Sequence, residues 1–166
     1  VVAAAKAGGY ALPAVNVVGT NTVNAVLEAA SKAKSDVIIQ LSNGGSQFFA
    51  GKGYPDTFEG KVLGAVSAAQ HVHLLAERYG VCVVLHTDHA NKKLIPWIEA
   101  LLTEGEKFYA IHGKPLYTSH MLDLSEETLE ENIDECARIL ERMAKIDMSI
   151  EICLLYTSDA ADDVIS

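Results

Sequence analysis

Short apolar strand segments alternate with helical segments along this chain, and this alternation limits the fold more than any other feature. Between the first two strand segments, Val23, Val26 and Leu27 follow a helical spacing that places them on one face. Each of the next three strand segments is likewise separated from its neighbour by a helical pattern, which predicts parallel strands with right-handed crossovers. The sequence therefore predicts an α/β fold with a parallel sheet, whose strands are residues 11–16, 37–42, 81–86, 114–123 and 148–152.

Two parallel architectures fit this pattern: an open, doubly wound sheet and part of a (β/α)8 TIM barrel. A complete barrel typically needs about 250 residues, whereas this chain has 166. In the second case we expect only about the first five β/α units of the barrel to be present. The N-terminal residues have the pattern of the middle of a helix, without an initiating methionine or a signal peptide. We therefore expect the chain to begin after its true start.

Charge and composition exclude several classes of protein. The net charge of −9 argues against nucleic acid as a partner, because binding to phosphates needs clustered lysine and arginine. No apolar run approaches the roughly 20 residues of a transmembrane helix, so no membrane partner is expected. The three cysteines are too widely spaced for a disulfide framework or a metal knuckle, and they fit a reducing cytoplasm.

Polar side chains follow the apolar part of each of the first four strand segments. Because the C-terminal ends of parallel strands meet at one edge of a sheet, these side chains are predicted to form one site. Asp88 and His89 can supply a general base and a metal ligand side by side. The alternative is a strand that turns polar because it has left the core. The candidate residues are Asn16, Ser42, Asp88 with His89, and His120 with Asp123. His120 either supports a residue that binds the metal or is simply the polar end of a strand, and both interpretations remain open.

Local signals also predict the boundaries of helices and loops. The glycine-rich residues 43–53 predict a loop after the second strand. A long helix is predicted over residues 60–79, with Gly80 as its C-terminal cap. Ser125 is predicted to cap the N-terminus of a later helix, with Glu126 and Glu127 in its first turn.

Several of these segments together resemble one known family. Residues 11–16, 40–45 with 51–53, 86–89 and 119–125 are similar to motifs of class II fructose-bisphosphate aldolase, in the same order and at nearly the same spacing. The likeness runs from Val1 to Ile152. It implies a TIM barrel, and it assigns residues 1–152 to a partial aldolase domain.

The resemblance also implies a reaction and a set of roles. The family cleaves fructose 1,6-bisphosphate reversibly to dihydroxyacetone phosphate and glyceraldehyde 3-phosphate, as a cytoplasmic homodimer that uses Zn²⁺ or another divalent metal. The resemblance leaves open whether a monovalent cation is bound as a second ion. By resemblance, His89 is a metal ligand and Asp88 is the acid/base at the C4 hydroxyl of the substrate. Ser42 contacts a substrate phosphate, Asn16 contacts a substrate hydroxyl, and Asp123 is a supporting carboxylate.

The chain departs from the family pattern at Cys153, where the resemblance implies a glutamate that binds the metal. Residues 153–166 resemble a translated sequencing adapter, so we expect them to be a non-native tail. Because a catalytic zinc usually needs three protein ligands, we expect the 166-residue chain alone to be inactive. Two alternatives stay open: a tagatose 1,6-bisphosphate aldolase of the same family, and a non-catalytic half-barrel module.

Overall fold

A computed structural model describes residues 1–154 as one parallel sheet covered by helices. The five strands lie in chain order and every neighbouring pair is parallel. The strands are β1 (Ala14–Asn16), β2 (Val37–Leu41), β3 (Val83–Asn91), β4 (Ser119–Asp123) and β5 (Ser149–Ile152). A doubly wound sheet reverses its strand order at a switch point, and the described strands contain no such reversal. The α/β prediction is confirmed, and the strand order fits the first five units of a TIM barrel.

Helices precede the first strand and connect the others. They are α1 (Val2–Gly8), α2 (Thr20–Ala33), α3 (Asn43–Ala50), α4 (Thr57–Tyr79), α5 (Ile95–His112) and α6 (Leu129–Met143). Two short 3-10 helices, Lys92–Leu94 and Ala144–Ile146, flank α5 and α6. None of the helices in the described part of the chain combines the length and apolar character needed to cross a membrane.

The two faces of the sheet differ because side chains alternate along each strand. Ile39, Leu85 and Leu122 belong to the core cluster that also holds residues of α4 and α5. The opposite face, which we call the cavity face, borders an open cavity of about 540 Å³. Its strand residues include Ile38, Gln40, Val84, His86, Ser119, Met121 and Glu151. In a closed barrel this face is the interior.

The glycine-rich segment after β2 was predicted to be a loop, and this prediction is wrong for its first part. Residues Asn43–Ala50 form α3, and the Oγ of Ser42 caps that helix by accepting a hydrogen bond from the backbone N–H of Gly45 at 3.0 Å. An N-cap of this kind satisfies a donor that has no partner within the helix. Phe49 then packs against the core, so burial outweighs the low helix propensity of the two glycines.

Close packing of α3 against α4 depends on Gly64. A Cβ atom added at this position would lie 1.9 Å from the carbonyl oxygen of Ser46, a backbone atom that cannot rotate away. We therefore expect Gly64→Ala to lower the free energy of unfolding of the full-length protein by about 3 kcal/mol or more, through overpacking. Denaturant unfolding measures the change.

Gly44→Ala is the matched control, because an added Cβ there meets nothing within 4 Å. Alanine is the better helix former, so this variant should gain about 0.5–1 kcal/mol. Equal stabilities for the two variants would contradict the close-packing argument.

Of the two predicted helix caps, one is confirmed and the other is wrong. Gly80 does cap α4, in the left-handed conformation expected of it. Ser125, in contrast, does not cap α6, which begins at Leu129. Thr128 and Glu131 form a reciprocal capping box there, which satisfies two backbone donors where Ser125 would satisfy one.

The predicted non-native tail, residues 153–166, lies almost entirely outside the described residues. Cys153 and Leu154 follow β5, and the backbone N–H of Cys153 donates to the carbonyl of Leu122. The assignment of the tail, and of residues 1–152 as the native domain, stays a prediction.

Candidate active site

A β-bulge in β3 places two functional groups on the cavity face. Thr87 pairs with His120 and Ala90 pairs with Leu122, so Asp88 and His89 together face a single residue of β4. His89 has a φ of 31°, a left-handed conformation that is rare outside glycine. In a regular strand Asp88 and His89 would point to opposite faces, but here both line the cavity. Bulges commonly redirect a side chain in this way beside a functional site.

The bulge corrects one detail of the sequence prediction. The third strand was expected to end at His86, but β3 continues through the motif to Asn91. The extra residue restores the alternation beyond the bulge, so Ala90 is fully buried. Asp88 and His89 are therefore held by strand pairing on both sides, instead of lying on a free loop.

Asn16 holds the carboxylate of Asp88. Its Nδ2 donates a hydrogen bond of 2.9 Å to Asp88 Oδ2, between the C-terminal end of β1 and the bulge in β3. The side chain of Asp88 is 19% exposed. This contact joins two of the predicted site residues over a separation of 72 positions in the chain.

Asp123 holds the imidazole of His89. Its Oδ2 lies 2.8 Å from His89 Nδ1, and Ser125 Oγ donates to its other oxygen at 2.7 Å. The hydrogen bonds from Ser125, more than the bond from His89, lower the pKa of Asp123 to about 2. The bond to Asp123 in turn raises the pKa of His89. The carboxylate therefore orients the ring and leaves Nε2 facing Asp88, with Nε2 at 3.9 Å from Asp88 Oδ1.

Ser42 is at the same edge of the sheet but has a different environment. It follows the last residue of β2 and caps α3. The described hydrogen bond of its side chain is to Gly45, and none reaches another candidate residue. A helix N-terminus with its free backbone N–H groups favours negative charge.

Three other histidines have structural positions. His120 is fully buried on the helix-covered side, where its Nδ1 lies 2.9 Å from Thr87 Oγ1 and its ring packs on Tyr117. Burial lowers the pKa of His120 to about 3, which keeps the ring neutral. His71 and His73 make contacts from α4 to Asn24 and to the carbonyl of Leu116.

The donor atoms at the site suit a divalent metal. One ligand atom each from His89, Asp123 and Cys153 lies within 4.8 Å of the others, and Cys153 is the first residue of the predicted non-native tail. Imidazole nitrogen, carboxylate oxygen and thiolate sulfur are all zinc ligands. A histidine that binds zinc through one nitrogen usually donates its other N–H to a carboxylate, and His89 and Asp123 have this relation.

Comparisons with known proteins identify the family. The family model "Fructose-bisphosphate aldolase class-II" matches residues 1–166. The chain belongs to this family. The fructose-bisphosphate aldolase class 2 of Escherichia coli strain K12 is 58% identical over 162 residues, which cover 96% of this chain and 45% of that protein. The fructose-bisphosphate aldolase of Campylobacter jejuni serotype O:2 is 55% identical over 160 residues, covering 96% and 44% of the two chains.

A solved structure supports the aldolase fold. The crystal structure of the fructose-bisphosphate aldolase from Campylobacter jejuni superposes with a TM-score of 0.88 at 56% identity, over 92% of this chain and 43% of that one. The chain thus spans less than half the length of the aldolases that it matches.

The sequence analysis did not predict two residues that line the cavity. Ser119 lies 2.7 Å from His86, and Glu151 projects from β5 into the same cavity as Asp88 and His89. Neither stands at the polar end of an apolar run, so strand-end polarity does not reveal them. The strand register reveals them, because it pairs His86 with Ser119 and Met121 with Glu151.

Proposed function

We propose that the full-length protein carrying this chain is a metal-dependent aldolase that reversibly cleaves fructose 1,6-bisphosphate to dihydroxyacetone phosphate and glyceraldehyde 3-phosphate. The observation that carries the proposal is the bulge in β3, which brings the carboxylate of Asp88 and the imidazole of His89 to one face. Family membership supports the substrate class.

Each candidate residue has a role in this proposal. His89 binds Zn²⁺ or another divalent metal through Nε2, because Nδ1 is engaged with Asp123. Such a metal supplies Lewis-acid stabilisation of negative charge on substrate oxygen. Asp88, held by Asn16, takes the proton of the C4 hydroxyl as the bond between C3 and C4 breaks. Asn16 also contacts a substrate hydroxyl.

Ser42 is proposed to contact a substrate phosphate. Its position at the N-terminus of α3 supports the role, because backbone N–H groups of the first turn that have no partner within the helix can bind an anion. We assign no residue of this chain as a ligand of a second, monovalent cation.

A cleavage assay on the full-length protein tests the proposal. We expect zinc-loaded protein to cleave fructose 1,6-bisphosphate, a chelator to abolish the cleavage, and added zinc to restore it. Borohydride in the presence of substrate should not inactivate the enzyme, because no Schiff base forms. Faster cleavage of tagatose 1,6-bisphosphate would assign that sugar instead. A soluble product of 166 residues that unfolds cooperatively would instead favour the non-catalytic half-barrel alternative.

We also propose that the full-length protein is a cytoplasmic homodimer. The cysteines of the described residues, Cys82, Cys136 and Cys153, are all free thiols, and free thiols fit a reducing compartment. Light scattering on the full-length protein measures the subunit number directly.

A further inference from the structure

His86 is a buried histidine on the cavity face, below the bulge. Its side chain is 6% exposed, and its Nδ1 lies 2.7 Å from the hydroxyl oxygen of Ser119. The two residues are paired across β3 and β4, so strand register fixes their contact. Burial lowers the pKa of His86. The ring is therefore neutral at pH 7 and carries a single N–H.

The neighbours of the ring decide which nitrogen carries that proton. Nε2 of His86 lies 3.2 Å from Oε2 of Glu151, and an ionised carboxylate only accepts hydrogen bonds. If Nε2 carried no proton, its lone pair would face a lone pair of the Glu151 carboxylate and the two would repel each other. The proton therefore lies on Nε2, and the hydroxyl of Ser119, which can donate or accept, donates to Nδ1.

The Nε2 donor has no aligned acceptor among the described residues. Although Glu151 Oε2 is within 3.2 Å, the geometry does not satisfy a hydrogen bond, and the nitrogen is buried from solvent. A buried donor without a partner costs about 1–3 kcal/mol. A rotation of the Glu151 side chain, whose Oε2 lies 3.2 Å away, would align an acceptor with this N–H.

We propose that His86 is a positioning residue that fixes the carboxylate of Glu151 over the cavity, on the side where Asp88 and His89 act. The inference rests on the proposed function, because it gives Glu151 a place in the same active site. The long side chain of a glutamate can adopt many rotamers. The Nε2–H of His86, two strands away on β3, favours one of these rotamers, and the hydroxyl of Ser119 keeps the proton on that nitrogen.

Two substitutions separate positioning from packing. The terminal nitrogen of glutamine overlays Nε2 of histidine, whereas that of asparagine overlays Nδ1. We expect His86→Gln to keep kcat near that of the native enzyme, because a donor still reaches Glu151. His86→Asn keeps the contact with Ser119 but loses the donor. We expect it to lower kcat roughly 10- to 100-fold with little change in KM, as for other residues that orient a functional group.

A double-mutant cycle identifies Glu151 as the group through which His86 acts. Glu151→Gln should lower kcat by itself, and adding His86→Asn to it should cause little further loss, because the two residues act as a unit. A full multiplicative loss would overturn the proposal. It would also be overturned if His86→Asn kept activity while His86→Gln lost it, or if both variants lost activity in proportion to lost stability.

A spectroscopic measurement is independent of catalysis. Nitrogen NMR of histidine-labelled full-length protein distinguishes a protonated ring nitrogen from a bare one. We expect His86 to carry its proton on Nε2, and Ser119→Ala to produce a mixture of tautomers. A proton on Nδ1 in the native protein would refute the inference even if the enzyme cleaves the sugar. The expected tautomer in a protein without aldolase activity would instead refute the proposed function.

Discussion

Replacing His89 with alanine is expected to lower the zinc affinity of the full-length protein at least about 100-fold and to reduce kcat/KM for fructose 1,6-bisphosphate by a similar or larger factor. Loss of a residue that merely supports a ligand already costs about 10- to 100-fold in affinity or activity, and His89 is proposed to be a ligand itself. Its Nδ1 is occupied by Asp123, which leaves Nε2 for the metal. Competition with a chromophoric chelator measures the affinity.

The control for this variant is His71→Ala. His71 lies on α4, where its Nε2 contacts Asn24 of α2, away from the residues that line the cavity. We expect zinc affinity and kcat/KM to remain at native values in this variant. Native zinc affinity in His89→Ala would remove His89 from the ligand set, whatever the activity.

The sheet was predictable from the sequence because β2 and the first part of β3 are nearly continuous apolar runs and helical patterns separate the strand segments. A strand covered on both faces needs apolar side chains throughout, and Val37–Leu41 shows this clearly. The strand order followed from right-handed crossovers between neighbours. The helix α3 was not predictable, because a serine cap and the packing of the half-buried Phe49 against the core outweigh two glycines only in the folded chain.

The site was predictable only in part, for a related reason. Asn16, Asp88, His89 and Asp123 end apolar runs or interrupt them, and the structure joins them in two pairs. The bulge is invisible in the sequence, because it arises from the register between β3 and β4. Ser125 was assigned to a helix cap by its residue type, yet its hydroxyl supports Asp123.

Asp88→Asn is expected to lower kcat about 10²- to 10⁴-fold, the usual contribution of a positioned general acid or base. The carboxamide has the shape of the carboxylate, and its oxygen still accepts the hydrogen bond from Asn16, so the side chain keeps its place. It cannot take a proton from the C4 hydroxyl. Zinc affinity and KM should therefore change little, and steady-state kinetics with metal analysis measures all three quantities.

Glu28→Gln is the matched control for Asp88→Asn, because it also neutralises one carboxylate. Glu28 lies on the surface of α2 and contacts Lys32, so its kcat should equal that of the native enzyme. An unchanged kcat in Asp88→Asn would contradict the assignment of Asp88 as the acid/base. A large loss of zinc from that variant would instead make Asp88 part of the metal site, since its Oδ1 lies 3.9 Å from Nε2 of His89. The separation of kcat from zinc affinity therefore decides which of these two roles Asp88 has.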